Sequence, residues 1–495
     1  MSEVSASRVV EMLPSISGVT LDSRRVQPGW LYVALPGTTT HGANFIAQAV
    51  VAGAIAVLTD VAGAQLAGEV GIPVLTVANP RAVMAAVAAE LYGRPADALL
   101  MLGVTGTAGK TSTVALLEAG LAAVGRRVGT IGTMGFFFEN QKITMQRSTV
   151  TTPESPDLQD LLAQLRTMGA DAVAMEVSSH AISQARIAEI GFQVAGFTNL
   201  GHDHFDYHQD IQGYFQAKAE LFTSAYTQCA VVNIADPYGA CLAEQIRQAN
   251  KVRLVTFSSK GDADYTITSL SDTNDGRRRL QLKTPTGVHD FALSLLGDFN
   301  VKNALLAAAM FDQVEVSLEA ALPGLEKVQI PGRMQRVSLG AGAPNLVVDF
   351  AHTPETVTQA LSSLPKTRRI AVLGCGGDRD REKRQPMGQV AALNADVVIV
   401  TDDNPRSEDP GSIRAQVLTG AQRGAKVSGA QVIECGDRRE AIALALDLAR
   451  LEDWIAILGK GHESGQIVRD EILPFDDVDV ATQLWAHGSA AEMGQ

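Results

Sequence analysis

The sequence predicts an α/β protein of three stacked domains built on largely parallel sheets. Three observations carry this expectation. Short apolar, β-branched runs alternate with Ala- and Leu-rich helical stretches along most of the 495 residues. A chain of this length exceeds what one hydrophobic core usually organises. Many strand-like runs end in loops rich in Gly, Asp or Asn, where open α/β sheets bind their ligands. A hydrophobic content of 46% with 19% charged residues is globular rather than disordered. Neither a repeat of about 20–50 residues nor a low-complexity tract is visible.

Taken in order, the first section (residues 1–97) is expected to hold strands at 31–35, 54–58 and 74–77 between Ala-rich helices. The Gly93-Arg94-Pro95 break and a fresh apolar strand at 99–104 mark its end. The second section (98–330) carries strands at 171–177, 194–198 and 230–233. It closes on a helix at 303–310 before the Pro331-Gly332 break. The third (331–495) repeats the style with strands at 346–349, 370–373, 397–401 and 454–458.

Charge and cysteine usage exclude several classes. A net charge of −13 argues against a nucleic-acid partner, which wants a basic surface. It leaves room for a nucleotide, because a few local amides and cations suffice to hold phosphates. Cys229, Cys241, Cys375 and Cys435 show no C-x-x-C spacing and read as reduced, mostly buried thiols. The first fourteen residues include Glu3 and Glu11 and lack the apolar core of a signal peptide. The longest apolar run, 49–58, is about half of a membrane span. A soluble, cytoplasmic monomer with no membrane partner is expected.

The run LGVTGTAGKTS at 102–112 follows a strand and opens a helix. Glycines let backbone N–H groups turn toward phosphate oxygens, and the helix N-terminus adds positive potential. Lys110 is expected on the β/γ-phosphates and the Thr111 hydroxyl on Mg²⁺. The strict G-x-x-x-x-G-K-[ST] spacing fails at Val104. A Gly-rich turn that binds nothing is the competing reading, and the order strand, turn, GKT, helix disfavours it. A phosphate loop alone does not name a reaction.

Read as TGTxGKT, this loop resembles that of the Mur ligases, amino-acid ligases that also include folylpolyglutamate synthases. The resemblance continues in order through EVSSH at 176–180, TNLxxDHxDYH at 198–208 and Lys218. GxFNxxN at 297–303, GRMQ at 332–335 and DxAHTP at 349–354 follow. GCGGDRD at 374–380, DNPR at 403–406 and GKGHE at 459–463 complete a set spanning nearly the whole chain. It implies a three-domain Mur ligase architecture: a UDP-binding N-terminal domain, a central parallel-sheet phosphate-loop ATPase domain, and a Rossmann-like C-terminal domain that binds the amino acid. Three departures bear on rate rather than class. Ala108 stands for the family's asparagine, Phe350 for its tyrosine, and Gly201-His202 for a Ser-Arg pair.

The pattern is nearest the family's diaminopimelate-adding branch. That implies ATP-dependent ligation of meso-diaminopimelate to UDP-N-acetylmuramoyl-L-alanyl-D-glutamate through an acyl phosphate, in peptidoglycan precursor synthesis. Activating the carboxylate pushes one anion toward another, the γ-phosphate, so cations must bridge them. Mg²⁺ prefers oxygen ligands. The resemblance implies a catalytic set of Lys110, Glu176, His204 and Lys218, with Thr111, Glu176, His204 and Lys218 serving Mg²⁺. Lys218 would be an N6-carboxylysine, in which CO₂ turns a cation into a carboxylate. Without the family, Lys218 would read as a solvated helix lysine. His202, His204 and His208 with Asp203 and Asp206 would read as a polar strand-end loop, and His180 as structural.

By the same resemblance, ATP meets Gly106, Thr107, Ala108, Gly109, Lys110, Thr111 and Ser112, then Asn303 (with Asn300 beside it), Arg333, Asp349 and His352. The muramoyl substrate meets Leu21, Ser23, Thr38, Thr39, Thr40, Thr151, Thr152, Ser178, Gln184 and Arg186. On residues alone, 38–40 is a plain loop. Diaminopimelate meets Arg379, Asp403, Asn404, Pro405, Arg406, Gly459 and Glu463. It differs from lysine by a second carboxylate, which a guanidinium fork grips bidentately, so Arg406 is the expected specificity residue. Rivals are a lysine-adding or folylpolyglutamate-type ligase and, from another class, a phosphate-loop ATPase that drives conformational change.

Overall fold

Four parallel strands, Gly18–Thr20, Trp30–Ala34, Ala56–Thr59 and Val74–Thr76, lie side by side in that order in the computed structural model. It describes residues 9, 11, 15–37, 39–145, 151–201, 210–273, 277–340 and 342–492. Alternation along the strands sends Leu31, Val33, Ala56 and Leu58 into one apolar cluster and Tyr32, Ala34 and Val57 into another. Both faces are therefore covered, as parallel sheets require. The helix Pro80–Leu91 supplies Val83, Met84, Val87 and Ala88 to the first cluster; Pro80 starts it and the Asn79 side chain accepts the Ala82 N–H at 3.1 Å. The apolar run 49–58 is not one element. The helix Ile46–Val51 ends, Gly53 turns at φ 101°, and the strand Ala56–Thr59 begins.

A second sheet centres on Leu100–Thr105. Phe192–Phe197, Thr227–Asn233 and Arg253–Ser258 follow on one side, Ala172–Glu176 and Val128–Gly132 on the other, all parallel. Gly135–Phe138 and Gln141–Ile143 extend the latter side antiparallel. The carboxyl ends of the three middle strands, at Thr105, Glu176 and Phe197, are neighbours, and this register positions the phosphate loop.

The third sheet runs Gln335–Val337, Asn345–Asp349, Trp454–Leu458, Arg369–Leu373, Val397–Val400, Gln431–Glu434, parallel except for the first. Ile370, Val372, Val397 and Ile399 face one core, and Ala371, Leu373, Val398 and Val400 the other. By compactness the chain divides into two units. One is Met1–Ser269 with Leu280–Phe291 and Lys302–Leu325. The other is Leu270–Arg279 with Ala292–Val301 and Glu326–Gln495.

The expected strands are present within two or three residues of their predicted ends, and the helix at 303–310 is longer, Asp298–Asp312. Of the four thiols, Cys229 and Cys375 are buried, but Cys241 is exposed on the helix Pro237–Ala249 and Cys435 is half-buried, so "mostly buried" is corrected to two of four. All four are free. Among the described residues, no helix is long and apolar enough to cross a membrane.

Candidate active site

The strand Leu100–Thr105 delivers residues 106–109 into the helix Lys110–Ala123. Gly106 has φ 145° and Gly109 φ 91°. A Cβ at Gly106 would overlap Thr198 Oγ1, and one at Gly109 would overlap Asn303 Oδ1, so both positions demand glycine. Asn303 thus touches the loop itself. The turn is held from the neighbouring strand end. Thr107 N–H donates to the Asn199 carbonyl at 2.9 Å, and Ala108 N–H to Asn199 Oδ1 at 3.0 Å. Thr198 Oγ1 donates to the Ala108 carbonyl at 2.7 Å. The Ala108 side chain itself is exposed.

Two lysines converge on this loop. Lys110 Nζ donates to the carbonyls of Gly106 (2.8 Å) and Thr107 (3.0 Å). Lys218, on the helix Ile211–Ala219, is 1% exposed and donates to the Gly106 carbonyl at 3.0 Å. Its ammonium lies 4.5 Å from the ring centre of Tyr214, one helical turn away, whose hydroxyl meets Thr107 Oγ1 at 3.3 Å. Solvated lysine is therefore the wrong description.

Glu176, at the end of the adjacent strand, is 1% exposed. Its Oε1 accepts from Thr111 Oγ1 and from Thr133 N–H, both at 2.9 Å, and its Oε2 from Thr133 Oγ1 at 3.0 Å. The Thr111 hydroxyl and the Glu176 carboxylate are adjacent hard oxygen donors, and they fit a Mg²⁺ ion. His204, with His202, Asp203, Asp206 and His208, lies outside the described residues, as does Thr38.

The residues expected to meet the muramoyl substrate fall in two groups. Leu21 and Ser23 follow the first strand and Thr39 and Thr40 the second, so both sit in carboxyl-end loops of neighbouring strands. Ser23 Oγ donates to Gln48 Oε1 at 3.0 Å, and Thr40 Oγ1 accepts from Asn44 Nδ2 at 2.7 Å. The other group is tied to Glu176. Thr152 Oγ1 donates to the Glu176 carbonyl at 2.8 Å and accepts Ser178 N–H at 3.1 Å, while Thr151 Oγ1 meets Thr133 Oγ1 at 3.2 Å. Arg186 donates to the Thr152 carbonyl (3.0 Å) and to Gln184 Oε1 (2.7 Å), and pairs with Glu154 at 3.0 Å. The other Glu154 oxygen takes Arg81 at 2.8 Å. Glu154, Arg81 and Thr133 were not singled out from sequence.

In the second unit, Arg379, Asp403, Asn404, Arg406, Gly459 and Glu463 line one cavity of about 290 Å³, together with Phe350, His352, Cys375, Lys383 and Met387. Pro405 does not line it; its carbonyl packs against Gly377. Arg406 has φ 50° and donates from Nη1 to the Gly377 carbonyl at 2.8 Å. Its backbone bonds to Ile467 and Arg469 (3.0 and 2.8 Å), so the hairpin Gly465–Val468/Glu471–Pro474 grips it. Arg384, fully buried, holds both oxygens of Glu408 at 2.8 and 3.1 Å. That pairing, with the Asp378 N–H, holds the Glu408 carboxyl down to about 2. Burial pushes the Cys375 thiol up to about 12.

Beside the cavity-lining Phe350, Asp349 accepts N–H groups of Met334 (2.7 Å) and Ala351 (2.8 Å). Burial raises its pKa, and the Arg333 guanidinium opposes the shift. Arg333 stacks 4.6 Å over the Phe350 ring, a contact that needs no tyrosine hydroxyl. His352 Nδ1 lies 2.7 Å from the Phe350 carbonyl.

Three family models match the chain in sequence order: "Mur ligase family, catalytic domain" over 15–92, "Mur ligase middle domain" over 104–311, and "Mur ligase, glutamate ligase domain" over 332–461. The UDP-N-acetylmuramoyl-L-alanyl-D-glutamate--2,6-diaminopimelate ligase of Streptomyces avermitilis is 43% identical, over 93% of this chain and 91% of that one. Its namesake from Corynebacterium glutamicum is 42% identical, over 94% and 90%. A solved structure of a ligase with that name superposes with a TM-score of 0.70 at 31% identity, covering 96% and 95%. The MurF ligase of Thermotoga maritima in complex with ADP shares the fold at a TM-score of 0.63 and 17% identity, covering 97% and 99%. With three matched domains and relatives this similar over nine-tenths of their length, the chain belongs to the Mur ligase family.

Proposed function

We propose that this protein is an ATP-dependent ligase that joins meso-diaminopimelate to UDP-N-acetylmuramoyl-L-alanyl-D-glutamate, releasing ADP and phosphate. The observation that carries the reading is the 290 Å³ cavity, where Arg379 and Arg406 meet Asp403 and Glu463. A small molecule bearing carboxylates and ammonium groups at both ends matches that mixed lining. Lysine would leave a guanidinium facing an ammonium, a strongly discriminating mismatch.

An oxygen of the D-glutamyl carboxylate attacks the γ-phosphorus of ATP, and the bond to ADP breaks. The amine of diaminopimelate then attacks the acyl carbon, the carbon–oxygen bond to phosphate breaks, and the amine gives up a proton. Lys110 holds the γ-phosphate, and the N–H groups of 106–112 cradle its neighbours. Thr111, Glu176 and His204 would hold Mg²⁺, and Lys218 would join them as a carbamate, its amine having added CO₂ and released a proton. When bound, Mg²⁺ would supply positive charge between the two anions. Asn303, Arg333, Asp349 and His352 bind the nucleotide. Leu21, Ser23, Thr38–Thr40, Thr151, Thr152, Ser178, Gln184 and Arg186 bind the muramoyl substrate.

Domain limits at 97/98 and 330/331 follow the breaks at Gly93-Arg94-Pro95 and Pro331-Gly332. A reaction between ATP and a UDP-linked precursor belongs in the cytoplasm, and one chain carries every group it needs. ADP release with the UDP-linked dipeptide and a panel of amino acids tests the proposal. Turnover should require both acceptor and diaminopimelate. Faster turnover with lysine, or turnover with neither substrate, overturns it in favour of a lysine-adding ligase or an ATP-driven motor.

A further inference from the structure

The proposed reaction leaves the Lys460 ammonium of the GKGHE segment unused, yet its side chain is fully buried beside the amino-acid cavity. Its ammonium has three donors and three acceptors: Gly465 carbonyl at 2.6 Å, Asn404 Oδ1 at 3.1 Å and Glu463 Oε2 at 3.4 Å. With its protons spent inside the protein, and with no place in the cavity lining, it cannot grip the substrate. Its partners can. Asn404 Oδ1 also accepts Ile467 N–H at 2.9 Å, so two donors fix the amide and aim its Nδ2 at Glu463 Oε2, 2.8 Å away. Gln466 Nε2 meanwhile ties the Asp403 carbonyl at 2.7 Å. Glu463 Oε2 is thereby held from two sides, and among the described residues no hydrogen bond engages Oε1.

We infer that Lys460 is a positioning residue for amino-acid recognition: it locks Asn404 and Glu463 so that Glu463 presents Oε1 to an ammonium group of the incoming diamino acid. The inference rests on the reading of Glu463 as an amine-binding group. It acts through a buried charge, because an uncompensated Glu463–Asn404 pair would be free to rotate into the cavity.

The test is a double-mutant cycle on the full-length enzyme, with steady-state kinetics for each of the three substrates. Lys460→Met is expected to raise the KM for diaminopimelate about tenfold, the scale of a lost charged hydrogen bond. The KM values for ATP and the UDP-linked dipeptide should stay at the wild-type level. Lys460→Met/Glu463→Gln should be no worse than Glu463→Gln alone, since one acts through the other. Additive effects, or a rise shared by all three substrates, overturn the positioning role and leave Glu463 as the amine site. An unchanged diaminopimelate KM in Glu463→Gln alone overturns both. Should the methionine variant fail to fold, Lys460→Gln keeps a donor without the charge. It is expected to show a smaller rise confined to diaminopimelate; a wild-type KM from it overturns the inference.

Discussion

Lys110 and Lys218 donate to the same acceptor, the Gly106 carbonyl oxygen, at 2.8 and 3.0 Å. One lysine opens the helix after the phosphate loop and the other closes a helix far along the chain, so the fold brings both to the mouth of that loop. Lys218→Ala is expected to lower kcat by roughly 10²–10³-fold, as removal of a preorganised charge does. Intact-mass analysis in bicarbonate should find one CO₂ added to the wild type and none to Lys218→Ala. Lys218→Arg, which cannot form the carbamate, should be as inactive as alanine; an active arginine variant would remove the modification from the mechanism.

Ala108 departs from the family's asparagine, but the loop is clamped through its backbone by Thr198 and Asn199. Restoring the family residue, Ala108→Asn, adds an exposed side chain to a turn already held. The KM for ATP should move by no more than about threefold, in keeping with surface changes elsewhere. Asn199→Ala, by contrast, removes the two clamp bonds made by the Asn199 side chain and should raise that KM by more than Ala108→Asn does.

Arg406 sits in the left-handed region with its backbone pinned by the hairpin and its guanidinium on Gly377. Arg406→Lys retains the charge and loses the fork. It is expected to raise the KM for diaminopimelate by about ten- to a hundredfold. Competition assays with lysine should show the preference narrowing; an unaltered ratio would assign the far carboxylate to another group.

Acid stability should carry the mark of Glu408. Its carboxyl is held from an ordinary 4.5 down to about 2, first by Arg384 and then by the Asp378 N–H. A depressed folded value means that this group's contribution is complete above about 4.5 and fades as pH falls toward 2. Tm measured across that interval should fall less steeply in Glu408→Gln than in the wild type, from a lower plateau at neutral pH.

The legible parts of the fold were the strands buried on both faces. Residues 397–400 and 454–458 are unbroken apolar runs, and the structure puts strands at Val397–Val400 and Trp454–Leu458. Gly465–Val468 and Glu471–Pro474 escaped notice because they are short, half-buried or exposed, and share no apolar period. At the site, motif order pointed to Lys110, Thr111 and Glu176, whose contacts are close at hand. Thr133, Glu154 and Lys460 were illegible for a physical reason. Thr133 and Glu154 serve partners from distant segments, and Lys460 adds the distant Asn404 to two local partners, a pairing that only the folded chain creates. Lys218 was half-legible: the residues around it suit a surface helix, and only the family pattern pointed inward.

Glu154 divides its two oxygens between Arg81, on the first domain's helix, and Arg186, beside Thr152. Anyone exchanging residues 15–92 for those of a relative would carry the first arginine across and leave the glutamate behind. A donor segment lacking a cation at that place would strand a buried carboxylate with half its neutralising charge. Compatible grafts should therefore be chosen by that one position before overall similarity is weighed.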